Sequence, residues 1–292
     1  MKPALFSKIL DDRSLESAID LTGELGYDGI EIQASEPHLP PDTSHERAER
    51  IRNRLDEVGL SVPCLATYTG YYDQLTDSEA EAELETLEQY AALAEILDCE
   101  LVRHKPGGPP LRDATDDDFE RAAGYVRRAA DVAAEYGRTI GIEIHAGRLV
   151  ETADSTMELL DLIDRQNVGV IHDAGNMCIV DAEYGRASIE RLADALVHVH
   201  VKDLQRVDDP TLPDAFETET NRGEESFQFR PLGEGDVDHL PLFTALVEAG
   251  YDGYLTDECS VTPDGEDGDI DVARRELEAL ERTIERARSA AD

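Results

Sequence analysis

Tryptophan is absent from the 292 residues, and cysteine and lysine are scarce, with four of each. The cysteines Cys64, Cys99, Cys178 and Cys259 form no C-x-x-C pair, which excludes a zinc knuckle and a thioredoxin-type motif. They are expected as small core residues. No apolar run approaches the ~20 residues of a membrane span. The opening stretch Met1–Lys8 lacks the apolar region of a signal peptide. A cytoplasmic protein without membrane contact is expected. Positive charge is also short: 27 Lys and Arg stand against 66 Asp and Glu, a net charge of −39. Nucleic-acid binding needs a basic surface that displaces counterions, so nucleic acid is excluded as a partner. Acid spread along the whole chain, with arginine nearly replacing lysine, suits a halophilic protein, because concentrated salt screens self-repulsion.

What is present fits a folded protein. Hydrophobic residues make up 40% of the chain, enough for a sizeable core. Short apolar runs alternate with amphipathic helical patterns. Eight candidate strands are Ala4–Ser7, Gly29–Ile32, Ser61–Ala66, Leu101–His104, Thr139–His145, Val168–His172, Ala195–Val201 and Gly253–Glu258. Continuous apolar strands are those of a parallel sheet covered by helices. The phrases Leu25-Gly26-Tyr27-Asp28-Gly29 and Ala249-Gly250-Tyr251-Asp252-Gly253 mark two matching helix-to-strand joints, as in a repeated βα unit. Eight such units predict an α/β fold, a single (β/α)8 TIM barrel over residues 1–292. A doubly wound sheet would carry a glycine-rich loop after its first strand, and Lys8–Asp12 has no glycine. Residues 203–236, acidic and without clear periodicity, read as a long loop after strand seven, either a lid or a solvated insertion.

Barrel chemistry sits at the C-terminal ends of strands. Glu143, Asp173, His200 and Glu258 occupy these positions on strands five to eight. Burying such groups unpaired costs several kcal/mol, roughly, so partners are implied. Three carboxylates and one imidazole form a hard donor set. It favours one divalent ion per chain, Mn2+ first, with Mg2+ and Co2+ as alternatives, over a thiolate-type zinc site.

These phrases also carry a resemblance. Gly29-Ile30-Glu31-Ile32, Glu143, His172-Asp173-Ala174-Gly175-Asn176, His198-Val199-His200-Val201-Lys202-Asp203, Pro231-Leu232-Gly233-Glu234-Gly235-Asp236-Val237-Asp238 and Gly250-Tyr251-Asp252-Gly253 follow one another in this order. Together they resemble the xylose isomerase-like TIM-barrel superfamily, in its sugar phosphate isomerase/epimerase branch, over nearly the whole chain. The resemblance implies a metal site of Glu143, Asp173, His200 and Glu258, with His198 left to the core or to support. It also implies that Glu143 and Glu258 act as an acid/base pair, and that the protein is a homodimer or homotetramer. Ketohexose 3-epimerases, a related group, carry a histidine where Asn176 stands and an arginine that Arg206 matches. A divalent-metal-dependent sugar isomerase or epimerase is therefore expected, working through an enediolate on a small sugar or polyol. A dehydratase of inosose or dehydroshikimate type is the alternative. A DNA-repair endonuclease, also in this superfamily, is remote, given the charge and Asn176.

Further candidates for substrate contact are Lys105 and Lys202 at strand ends, His104 beside Lys105, and His145 and Arg148 just after Glu143. Glu31, ending strand two, either binds substrate or anchors a neighbouring loop.

Overall fold

Side-chain caps start the helices where the sequence places Ser and Thr. Ser14 accepts from the Ser17 amide, Ser44 accepts from the Arg47 amide, and Thr76 and Glu79 close a reciprocal capping box. Gly26 and Gly250, in the two repeated joints, hold φ of 98° and 75°, a region that disfavours residues with a Cβ. A computed structural model describes residues 1–259 and 268–291.

The elements run β1 (Lys2–Phe6), α1 (Leu15–Leu25), β2 (Gly29–Ala34), α2 (His45–Val58), β3 (Leu65–Thr67), α3 (Asp77–Ile96) and β4 (Leu101–His104). They continue through α4 (Asp116–Glu135), β5 (Thr139–Glu143), α5 (Ala153–Ile163), β6 (Val168–Asp173), α6 (Ala174–Ile179), α7 (Arg186–Leu192) and β7 (Leu196–Val201). After β7 come β8 (Asp203–Val207), β9 (Ala215–Thr220) and β10 (Gly223–Arg230), then α8 (His239–Glu248), β11 (Tyr254–Asp257) and α9 (Gly268–Ala291). Strands β1 to β7 and β11 close into a parallel barrel, with β11 pairing to both β1 and β7. The (β/α)8 expectation holds, and every candidate strand has a counterpart in the barrel. Among the described residues no helix is long and apolar enough to cross a membrane.

Two expectations change. The third strand was expected from Ser61, but it begins at Leu65, with Ser61 making only an isolated bridge to Gly29. Pro63 has no amide hydrogen for a ladder and sits between the two. The long loop after strand seven is largely regular. Residues within 203–236 form a three-stranded antiparallel sheet in the order β8-β10-β9. Its alternation at Phe227 and Phe229 is diluted by charged neighbours, which hid it from periodicity.

One carboxylate organises the root of this ribbon. Buried Asp203 accepts hydrogen bonds from the amides of Leu204, Gly233, Gly235 and Val237, at 2.8–3.1 Å. A Cβ at position 235 would lie 2.6 Å from the Leu204 carbonyl oxygen, so only glycine fits there. Of the cysteines, Cys64 and Cys99 are core residues, whereas Cys178 and Cys259 are half-buried.

Candidate active site

Alternation along each strand decides which side chains enter the barrel mouth. On β4 and just beyond it, Arg103 and Lys105 share one face and His104 takes the other. On β7 the inward series is His198, His200 and Lys202. Glu143 ends β5, Asp173 ends β6, and Glu258 follows β11. Glu143, Asp173, His200 and Glu258 each offer a ligand atom within 4.8 Å of the others.

Cations knit this cluster together. Lys202 Nζ lies 2.7 Å from both Asp173 Oδ2 and Glu258 Oε2. Lys105 Nζ donates to Glu143 Oε2 at 2.6 Å. The buried Arg103 guanidinium lies 3.4 Å from Glu143 and 3.7 Å from Glu258. Asn176 donates through its side chain to Asp173 Oδ2 at 2.8 Å and to the Ile144 carbonyl.

Behind the cluster, Glu31 spans the barrel from β2. Its carboxylate meets His200 Nε2 at 3.0 Å and His198 Nε2 at 2.9 Å. Burial would lower the His200 pKa, but Glu31 and Glu143 hold it well above its ordinary value. His200 thus lies between two carboxylates, its Nε2 facing Glu31 and its Nδ1 facing Glu143. Burial raises the carboxylates, but Lys105 and Arg103 bring Glu143 well below its usual range, and Lys202 and His200 bring Glu258 below its own. Asp173 stays raised, because burial outweighs Lys202. Lys202 stays charged, since Asp173 and Glu258 overcome the cost of burial.

The donor set fits a divalent ion. Three carboxylate oxygens crowd together in a buried site, which demands positive charge between them. His200 has Nδ1 on the cluster side, 3.1 Å from Glu143, while Glu31 orients the far nitrogen. A carboxylate behind a ligating histidine is the usual support in metal sites. A second grouping, Glu31 with His198 and His200, is this support.

The cluster opens into a cavity of about 350 Å³. Its floor includes Arg103, Lys105, Glu143, His145, Lys202 and Glu258, and Asn176 lies on one side. Tyr68 and Tyr71 form one wall. Phe216, Glu217, Thr218 and Phe229, from β9 and β10, form another. Lys8 lines the opening. His145 donates from Nδ1 to the Ala146 carbonyl, and burial lowers its pKa to about 4, so it is neutral near pH 7.

Three sequence candidates lie elsewhere. His104 points away from the cavity and bonds Thr69 and Tyr72, at 2.9 Å each. Glu31 faces the two histidines and neither lines the cavity nor anchors a loop. Arg206 sits on β8, stacked over Phe227 at 5.2 Å and paired with Glu225 and Asp181, outside the cavity. Arg103, Lys8, Tyr68, Tyr71 and the two ribbon phenylalanines were missed. Period-two alternation marks Arg103, which shares parity with Lys105. Nothing local marks the others.

The sequence model of the xylose isomerase-like TIM barrel matches residues 19–283. The chain belongs to that family. Within it, inosose dehydratase from Geobacillus kaustophilus is 26% identical over 275 residues, covering 87% of this chain and 82% of the relative. The fold matches an L-ribulose 3-epimerase with a TM-score of 0.77 at 21% identity, covering 99% of this chain and 96% of that one. It also matches the zinc-bound IOLI protein with a TM-score of 0.79 at 16% identity, over 98% and 99% of the two chains. The fold is thus shared with an L-ribulose 3-epimerase, and the sequence relative is an inosose dehydratase.

Proposed function

We propose that this xylose isomerase-like protein is a divalent-metal-dependent enzyme that removes a proton from carbon beside a carbonyl of a small polyol substrate. The observation that carries this reading is the convergence of Glu143, Asp173, His200 and Glu258 within 4.8 Å of one another, with Glu143 and Glu258 lining a cavity. These four residues would hold the ion. When bound, the ion supplies Lewis acidity to the carbonyl and an adjacent hydroxyl. Mn2+ is the first ion to test, with Mg2+, Co2+ and Zn2+ beside it.

The remaining chemistry belongs to the chain. Glu258 and Glu143 are kept as carboxylates by neighbouring cations, so either can accept the C–H proton. The electron pair left on carbon enters the carbonyl as an enolate. Its return forms a double bond to the neighbouring carbon and can expel the hydroxyl that carbon carries. The Lys105 ammonium, whose pKa burial lowers despite Glu143, donates the proton that lets this hydroxyl leave as water. Neutral His145 and the Asn176 amide contact substrate hydroxyls. The ribbon aromatics Phe216 and Phe229 exclude water.

Dehydration stands at least level with isomerisation, because sequence relatives that span most of the chain are inosose dehydratases. Isomerisation or epimerisation keeps one specific support: two carboxylates, Glu143 and Glu258, both line the cavity, so one can remove a proton and the other return it. The deciding experiment is NMR in D2O and KCl, with each ion and a panel of keto-inositols, dehydroshikimate and ketoses. Deuterium entry beside the carbonyl with loss of water establishes the dehydratase. Deuterium entry with a new sugar isomer moves the protein to the isomerases. An ion bound without any exchange defeats the proton-abstraction reading.

A further inference from the structure

Lysine is rare in this chain, and three of its four lysines, Lys8, Lys105 and Lys202, line the one cavity that holds the acidic cluster. Within and around it, the carboxylates of Glu143, Asp173, Glu217 and Glu258 are balanced by Lys8, Arg103, Lys105 and Lys202. Glu31 faces His200 and His198 behind them.

Arg148 stands beside these groups. It is half-buried and lines a recess that shares Tyr71, Lys105, Glu143 and His145 with the surroundings of the cavity. Its guanidinium lies 5.0 Å from the centre of the Tyr71 ring, and Lys105 Nζ lies 5.9 Å from the same ring. Among the described residues its guanidinium makes neither an ion pair nor a hydrogen bond. Other arginines pair with carboxylates, as Arg50 does with Glu46, Arg54 with Asp20 and Arg165 with Asp131, or donate to backbone carbonyls, as Arg121, Arg127 and Arg138 do. The Arg148 guanidinium has neither kind of partner.

The platform beneath it is held in place. Tyr71 takes φ of 57°, a left-handed conformation costly for a non-glycine residue. Its amide donates to the Lys105 carbonyl at 2.9 Å, fixing it against the end of β4. An aromatic face under a guanidinium leaves the planar N–H edge free for a bidentate anion.

We propose that the substrate carries an anionic group, a carboxylate or a phosphate, and that Arg148 binds it on the Tyr71 platform beside the reacting carbons. This rests on the proposed function for the position of the reacting carbons only. An uncharged inosose offers this guanidinium only neutral hydroxyl and carbonyl oxygens, without the charge that a carboxylate or phosphate supplies.

The test is equilibrium binding by calorimetry at fixed ionic strength, with the full chain and three unreactive probes. Quinate is a cyclic polyol carboxylate, glucitol 6-phosphate a polyol phosphate and myo-inositol a neutral polyol. At least one anion is expected to bind about tenfold or more tighter than myo-inositol. The tighter anion distinguishes carboxylate from phosphate. Arg148→Gln is expected to erase that preference, lowering anion affinity to about that of myo-inositol. Arg148→Lys, which keeps the charge but loses the fork, is expected to fall between. Equal binding of all three probes to the unaltered protein overturns the proposal. So does failure of both anions to bind, or an Arg148→Gln change that spares the anion preference or weakens all three probes alike. A Mn2+ titration without any polyol tests the metal reading separately, so the two can fail independently.

Discussion

Glu258 keeps 15% of its side chain exposed, against 2% for Glu143, so it is the cluster carboxylate that substrate reaches most directly. Glu258→Gln preserves shape and removes the base. It is expected to lower kcat by about a thousandfold with the circular dichroism spectrum unchanged; a retained rate removes Glu258 from the mechanism. Glu31 acts at one remove. Glu31→Gln is expected to weaken ion binding by about ten- to a hundredfold, read by calorimetry without substrate. Unchanged affinity would mean that His200 needs no carboxylate behind it. The four proposed ligands were legible in the sequence, because each stands at a strand end and the parallel barrel brings strand ends together. The partnership of Glu31 with His198 and His200 was not, because β2 and β7 meet only across the barrel interior. His104 and Arg103 are the instructive pair. Both close an apolar strand, and only the alternation of faces tells which one enters the site.

The ribbon of β8, β9 and β10 depends on a single buried carboxylate at its root. Asp203→Ala would leave four amides without their acceptor, each a cost of about 1 kcal/mol or more where water does not replace it. The expected result is a stability loss of about 3 kcal/mol in urea unfolding, with faster amide exchange over residues 203–236 than over the barrel strands. Uniform exchange across both would refute a local role. The sequence marked this segment as a long insertion after strand seven but hid its strands. Phe227 packs inward and Phe229 lines the cavity, and acidic residues between and around them mask the pattern. Pro63 shortens β3 for the opposite reason, a visible breaker inside an otherwise continuous apolar run.

At the scale of the molecule, charge dominates. With 66 acidic residues and a net charge of −39, the melting temperature is expected to climb steeply as KCl is raised from low to molar concentration. Full stability without salt would reject the halophilic reading. One buried acid has a pH signature of its own. Burial and the nearby Asp257 carboxylate raise the Glu276 pKa to about 8. The folded state holds this proton more tightly than the unfolded chain does. Its stabilisation is therefore complete below the unfolded value near 4.5 and is lost as pH rises through about 8. Glu276→Gln is expected to raise the melting temperature at pH 8 with little change at pH 5; no difference between the two pH values would show that the carboxyl is not held protonated. The ribbon carries a consequence of another kind. Asp203 on β8 pairs directly with Arg230 on β10, so the insertion leaves the barrel and returns to it at one point. An insertion whose two ends meet can be lost, lengthened or exchanged in evolution without disturbing barrel closure, and a transplanted ribbon could re-aim the same floor of carboxylates at a new substrate.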